Sequence, residues 1–166
     1  MEKKIAFKYA DAWLLLSIIY ANRKDRAILS NIIAYGDFIN HAIFTWEELQ
    51  GGLFRLINTG YVVEDSEGYK PTDKTIVLYR EFSIKTKSPL KQLVFIREKL
   101  SSPEWSEDYN PSTANAGITY ERINEKVVEA AYLEYKRSLV GQGIGQGIGI
   151  PGSELFLFWL FYTFAA

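Results

Sequence analysis

Residues 44–71 read FTWEELQGGLFRLINTGYVVEDSEGYKP. Their opening fixes where a helix begins. Thr45 followed three positions later by Glu48 is a capping box, in which the threonine oxygen accepts from the third helical amide and the glutamate reaches back to the Thr45 amide. Phe44 and Leu49 flank it at the two positions of a hydrophobic staple. Leu49, Leu53, Leu56 and Ile57 then line one face at helical spacing, and Gly60 stands where a C′ glycine stops a helix. Gly51 and Gly52 inside this helix weaken it by roughly 2 kcal/mol together, which is tolerable if another backbone must come close. Tyr61 to Glu64 is a short apolar strand, Asp65 to Gly68 a turn, and Tyr69 to Pro71 the start of a return strand. Pro71 has no N–H to give a ladder, so that strand lies at an edge or ends there.

Two helices precede this segment. Tyr9 to Ala21 (YADAWLLLSIIYA) is apolar nearly all round, the pattern of a helix deep in a core. After a break at Asn22–Asp25, a second helix from about Arg26 to Asn40 carries Ile28, Leu29, Ile32, Ile33, Tyr35 and Ile39 at three-and-four spacing. Gly36 interrupts it and implies close packing or a bend. Downstream, Thr72 is placed to cap a fourth helix from Asp73 to about Phe82, and Ser88-Pro89 opens a fifth from Pro89 to Leu100. Residues 101–117 are rich in proline and small polar residues and read as loop. Thr119 would cap a last helix from Tyr120 to about Leu139, with Ile123, Val127, Ala130, Ala131 and Glu134 on a modestly apolar face.

Three helices followed by a short hairpin is a winged-helix order. Residues 48–71 resemble the third-helix-and-wing segment of bacterial winged helix-turn-helix regulators, with Leu53, Leu56 or Ile57, Gly60, Val62, Gly68, Tyr69, Lys70 and Thr72 in the matching slots. The resemblance covers residues 8–82. It implies a mainly α fold with a small β-hairpin and a winged helix-turn-helix domain at 8–82; the helices that follow read as a C-terminal helical extension at 83–139, and residues 140–166 as a glycine-rich segment with an apolar tail. The resemblance also implies a DNA-binding protein of the transcriptional-regulator kind, whose third helix enters the major groove while the wing touches the adjacent backbone. Gln50, Arg55 and Asn58, expected to point outward with Glu47, Glu48 and Gly51, can read base edges. Arg23, Lys24 and Arg26 before the second helix, and Lys70 and Lys74 by the wing, are the candidate phosphate contacts. The expected partner is then double-stranded DNA, with homodimerisation or a protein partner through the C-terminal helices.

Charge pulls the other way. The chain of 166 residues has 19 Lys and Arg against 20 Asp and Glu, a net charge of -1. Residues 1–82 hold ten bases and eleven acids, whereas phosphate contacts usually require a basic excess. Glu47 and Glu48 would face phosphates if the helix docked in the usual way. Only residues 80–99 are locally basic, with Arg80, Lys85, Lys87, Lys91, Arg97 and Lys99 against Glu81 and Glu98. The alternative reading is a winged-helix module that binds protein and not DNA.

Little in the chain suggests an enzyme. There is no cysteine, which removes disulfides, thiolate metal sites and cysteine nucleophiles. His41 is the single histidine and suits a role in capping or packing at a helix end. Gly147, Gly149 and Gly152 match a dinucleotide fingerprint in spacing alone, with Pro151 inside and no strand before it. No cofactor or metal is expected. The start of the chain lacks a secretory apolar run, so a cytoplasmic setting is expected. Residues 155–166 form an apolar run of twelve, about 18 Å if helical against a hydrocarbon core of about 30 Å. Membrane tethering through this run is a further alternative. So are its packing into a groove or partner, and an end arising from a shifted reading frame.

Overall fold

The computed structural model describes residues 7–24, 26–100 and 123–141. The chain is mostly helical with one small antiparallel hairpin. Its elements are α1 (Tyr9–Lys24), α2 (Leu29–Asn40), α3 (Trp46–Asn58), β1 (Val62–Asp65), β2 (Gly68–Pro71), α4 (Asp73–Ser83), α5 (Pro89–Leu100) and α6 (Glu125–Gly141). The loop expected at 101–117, the Thr119 cap and the segment 142–166 with its competing readings lie outside the described residues.

α1 is the axis of the core. Ala12 through Ile19 are all buried, so every side of the helix is covered, as its unbroken apolar run requires. α2, α3 and α5 pack on it, and α6 packs on α2. Leu93, Ile96 and Leu100 of α5 and Val128, Ala131 and Tyr135 of α6 belong to the same apolar cluster as Leu14, Ile18 and Leu53. The helices expected as an extension thus complete the core that the first three begin.

α3 starts and stops where local chemistry dictates. The Thr45 side chain accepts from the Glu48 amide at 3.2 Å, and the Glu48 carboxylate accepts from the Thr45 amide at 2.9 Å. At the other end Gly60 has φ of +74°. The Gly60 N–H donates to Ile57 at 3.0 Å and the Tyr61 N–H to Leu56 at 2.9 Å, the paired bonds of a Schellman motif. No atom lies within 4 Å of where a Gly60 Cβ would be, so only backbone strain opposes a side chain. Gly60→Ala is expected to cost about 1 kcal/mol, read as a lower urea midpoint at unchanged m-value, with Gly60→Asn losing less. An unshifted midpoint for the alanine variant would remove the left-handed stop.

The hairpin pairs Val62 with Pro71 and Asp65 with Gly68, leaving Ser66 and Glu67 as a two-residue loop. Asp65 Oδ1 accepts from the Glu67 amide at 2.7 Å and shapes the turn. Pro71 sits in the last pair of the ladder, where its missing N–H costs nothing. The hairpin is tied back to the α1–α2 connection: the Tyr69 N–H donates to Ala27 O at 3.1 Å and Asn22 Nδ2 donates to Tyr69 O at 2.6 Å. Gly68 passes so close that a Cβ there would lie 2.9 Å from Ala27 O.

Other expectations shift. α2 begins at Leu29 and not near Arg26, and no side chain caps its Ile28 N-cap. Thr72 is the N-cap residue of α4 but does not cap it with its side chain; its hydroxyl donates instead to Gly60 O at 2.6 Å. α6 begins at Glu125, where Asn124 Oδ1 accepts from the Val127 amide at 3.1 Å. Its inward residues are Val128, Ala131 and Tyr135, while Val127, Ala130 and Glu134 face out. The Tyr135 hydroxyl donates to Asp37 of α2 at 2.6 Å. Burial, and after it that bond, pushes the phenol above its ordinary pKa. Among the described residues no helix is long and apolar enough to cross a membrane.

Candidate nucleic-acid interface

The side chains expected to read bases do not form an outward face. Gly51 through Leu56 are all buried, and six consecutive buried residues cover every side of a helix with 3.6 residues per turn. Arg55 is the clearest correction. It is 3% exposed, and Asp11 of α1 is fully buried. Arg55 Nε and Nη2 each donate to the Asp11 carboxylate at 2.6 Å, a bidentate pair with both charges out of water. The Lys8 amide donates a third bond to the same carboxylate at 2.7 Å, so Asp11 also closes the first turn of α1.

The two glycines serve this arrangement. A Cβ on Gly51 would lie 3.0 Å from the Arg55 guanidinium, and one on Gly52 would lie 2.6 Å from Leu14 and 3.1 Å from Asp11 Oδ1. They make room for side chains of α1 and for Arg55, and not for a second backbone. Gln50 donates to Ile123 O at 2.7 Å, so the segment leading into α6 reaches over α3. Asn58 is exposed but donates to Phe54 O at 2.8 Å within its own helix. Besides Asn58, α3 shows solvent its acidic start, with Glu47 exposed and Glu48 half-buried in its capping role.

The candidate phosphate contacts fall into separate places. Lys70 is held by Asp65 at 2.6 Å and Glu67 at 3.3 Å. Asp65 first, then Glu67, keeps its ammonium above the ordinary lysine pKa, and Lys70 in turn holds Asp65 below the usual carboxylate range. The hairpin therefore neutralises its own base and still displays acid, since residues 61–71 carry Glu64, Asp65 and Glu67 against Lys70 alone. Lys74 lies 3.9 Å over the Tyr61 ring and donates to Thr59 O at 3.2 Å. Arg23, Lys24 and Arg26 are exposed at the end of α1 and just beyond it. Arg23 Nη1 donates to the Tyr79 hydroxyl at 2.6 Å.

Asp11 is the residue that the sequence reading overlooked. A lone carboxylate within an apolar helix carries its own signal, because an unpaired buried charge is prohibitively costly and must have a partner. The identity of that partner, 44 positions away, has no local signal. His41 ends α2 in the left-handed region at φ of +52°, with its N–H closing the last turn on Asp37 O at 2.7 Å. Among the described residues no group of three or more His, Cys, Asp or Glu side chains could hold a metal. Compared with protein-family models, with curated proteins and with solved structures, the chain matches none.

Proposed function

We propose that the chain is a cytoplasmic winged-helix module that binds protein and not duplex DNA, with no catalytic role. The winged-helix reading is supported by the order of three helices and a hairpin, by the Schellman stop that turns α3 directly into β1, and by the bonds that tie β2 to the α1–α2 connection. The observation that carries the choice of partner is the burial of α3 from Gly51 to Leu56 with Arg55 bound to Asp11. Covered on every side from Gly51 to Leu56, the middle of α3 offers no face to a major groove, and the acidic start of α3 and the acidic hairpin repel phosphate where contact would begin.

The surface best suited to a partner is the outer side of α4 and α5. Val77, Ile84, Leu90 and Val94 are each more than half exposed, whereas the inner side of α6 is used against α2. Around them stand Arg80 and Glu81 on α4, Lys85 and Lys87 after it, and Lys91, Arg97, Glu98 and Lys99 on α5, a basic excess in which Lys99 pairs with Glu81 at 3.5 Å. A two-fold axis through this surface would bury the same exposed apolar residues of two copies against each other, so the proposed occupant is a second copy of this chain.

Two measurements test the proposal. In sedimentation velocity the full chain is expected to dimerise with rising concentration, and Ile84→Glu with Val94→Glu is expected to stay monomeric at unchanged thermal stability. In fluorescence anisotropy with random duplex DNA, no salt-dependent binding is expected even at low ionic strength. Binding that falls steeply with added salt would return the DNA reading, and a wild-type chain that stays monomeric would remove the proposed partner.

A further inference from the structure

A second feature owes nothing to α3 or the hairpin. Between α1, α2, α4 and the start of α5 lies a pocket of 410 Å³ lined by Tyr20, Arg23, Tyr35, Phe38, Tyr79 and Lys87, among others. That volume is within the range of small-molecule sites, which combine apolar walls with a few placed polar groups.

The lining has a definite chemical character. Its walls are aromatic. Its charged groups, among the described residues, are all cations, for Arg23, Lys24 and Lys87 line it and no acid does. Neither Arg23 nor Lys87 forms an ion pair among the described residues. Arg23 is held in place nonetheless. One of its nitrogens donates to the Tyr79 hydroxyl at 2.6 Å, and its guanidinium stands 5.6 Å from the centre of that ring. A guanidinium has five N–H donors in a planar fork, so one bond positions it and leaves others to give. Lys87 reaches over from beyond α4, its ammonium donating to Ser83 O at 3.2 Å.

The polar groups deeper in the pocket are already satisfied by the protein. The Tyr20 hydroxyl donates to Gln92 Oε1 at 2.6 Å, and Gln92 Nε2 donates to Thr86 O at 2.8 Å. Tyr20 also meets Tyr35 edge to face, with ring centres 6.0 Å apart. An occupant therefore meets ring surface at the wall and, at the rim, Arg23 and Lys87, which form no ion pair among the described residues. We propose that this pocket binds a small organic anion with a planar apolar body, its carboxylate on Arg23 and Lys87 and its body against Tyr35 and Phe38.

The test uses the full chain and four probes in isothermal titration calorimetry: 2-naphthoate, the neutral 2-naphthalenemethanol, acetate and inorganic phosphate. Naphthoate is expected to bind saturably below about 1 mM. The neutral analogue should bind at least about tenfold more weakly, and acetate and phosphate more weakly still. Arg23→Gln and Lys87→Gln should each weaken naphthoate about tenfold or more, whereas Lys91→Gln, an exposed lysine on α5 outside the lining, should leave it unchanged. All three residues are exposed, and thermal melts verify that the variants remain folded. Equal affinity for the acid and the alcohol would overturn the role of charge. Equal affinity for naphthoate and phosphate would overturn the role of the rings. Unaltered binding in both pocket variants, or no binding of naphthoate at millimolar concentration, would overturn the site.

Discussion

Asp11→Ala is expected to destabilise the protein by about 3–5 kcal/mol, the cost of leaving one member of a buried ion pair alone. For a domain whose total stability is of the order of 5–15 kcal/mol, that is a large share. The carboxylate accepts both Arg55 donors and the Lys8 amide, so its removal strands a guanidinium under α1 and frays the first turn. Arg55→Lys should fail to substitute, because an ammonium has no planar fork to match the two oxygens. Gly52→Ala should damage the same pair from the side, since its Cβ would crowd both Leu14 and Asp11. The informative control is the double exchange Asp11→Leu with Arg55→Met, which removes both charges and fills the space. It should recover most of the lost stability, because a buried pair is often no more stabilising than an apolar replacement. Chemical denaturation of the four variants reads these differences. A loss below about 1 kcal/mol for Asp11→Ala would mean a solvated pair, and α3 would then be open enough for the DNA reading to return.

The second large effect is expected where α1, α2 and the start of α3 meet. Trp13 stacks on Phe44 with ring centres 3.6 Å apart, and its indole N–H donates to Gly36 O at 2.9 Å. Gly36 is the floor of this arrangement: a Cβ there would lie 2.3 Å from Phe44 Cε2. Trp13→Ala should cost about 3–5 kcal/mol through lost burial and the cavity left behind. Trp13→Phe keeps a ring and should lose much less, chiefly the hydrogen bond, worth about 1 kcal/mol. Gly36→Ala should cost about 1–3 kcal/mol by overpacking, and Phe44→Leu in the same chain should return part of it by giving the methyl room. Thermal unfolding distinguishes these, since volume loss and overpacking both lower the midpoint but only the second is relieved by shrinking Phe44. A neutral Gly36→Ala would show that the ring can move aside.

The parts of α3 that were legible in the sequence are its ends. Thr45, Glu48 and Gly60 act on backbone groups within three or four positions, so their effect is written in adjacent residues. The middle of the helix was not legible in the same way. Arg55 lies off the apolar face of Leu49, Leu53 and Leu56, and a three-and-four count alone assigns such a residue to solvent. Its long stem and planar head instead reach a carboxylate on α1, and the two glycines beside it belong to that accommodation.

α6 shows the same limit in a helix. Its apolar residues fall on more than one face, with Val127 and Leu133 exposed and Val128, Ala131 and Tyr135 buried, so the phase of the pattern is weakly determined, and a displacement of one position rotates the inner face by about 100°. Val128, Ala131 and Tyr135 face inward because Tyr135 has Asp37 to bond and α2 to pack on, neither of which is near it in the chain. The cations divide for a similar reason. Lys70 has acids three and five positions away along its own hairpin, whereas Arg23 and Lys87 join one pocket only because α1 and the turn after α4 are adjacent in space.

By itself the sequence determined the capped beginning and glycine-stopped end of α3, the hairpin that follows, and the burial of α1, all consequences of short-range hydrogen bonding or of an unbroken apolar run. The tertiary structure decided which polar groups are available to a partner. Availability depends on what lies across the core from each side chain, and Asp11 opposite Arg55 turns an expected base reader into part of the interior.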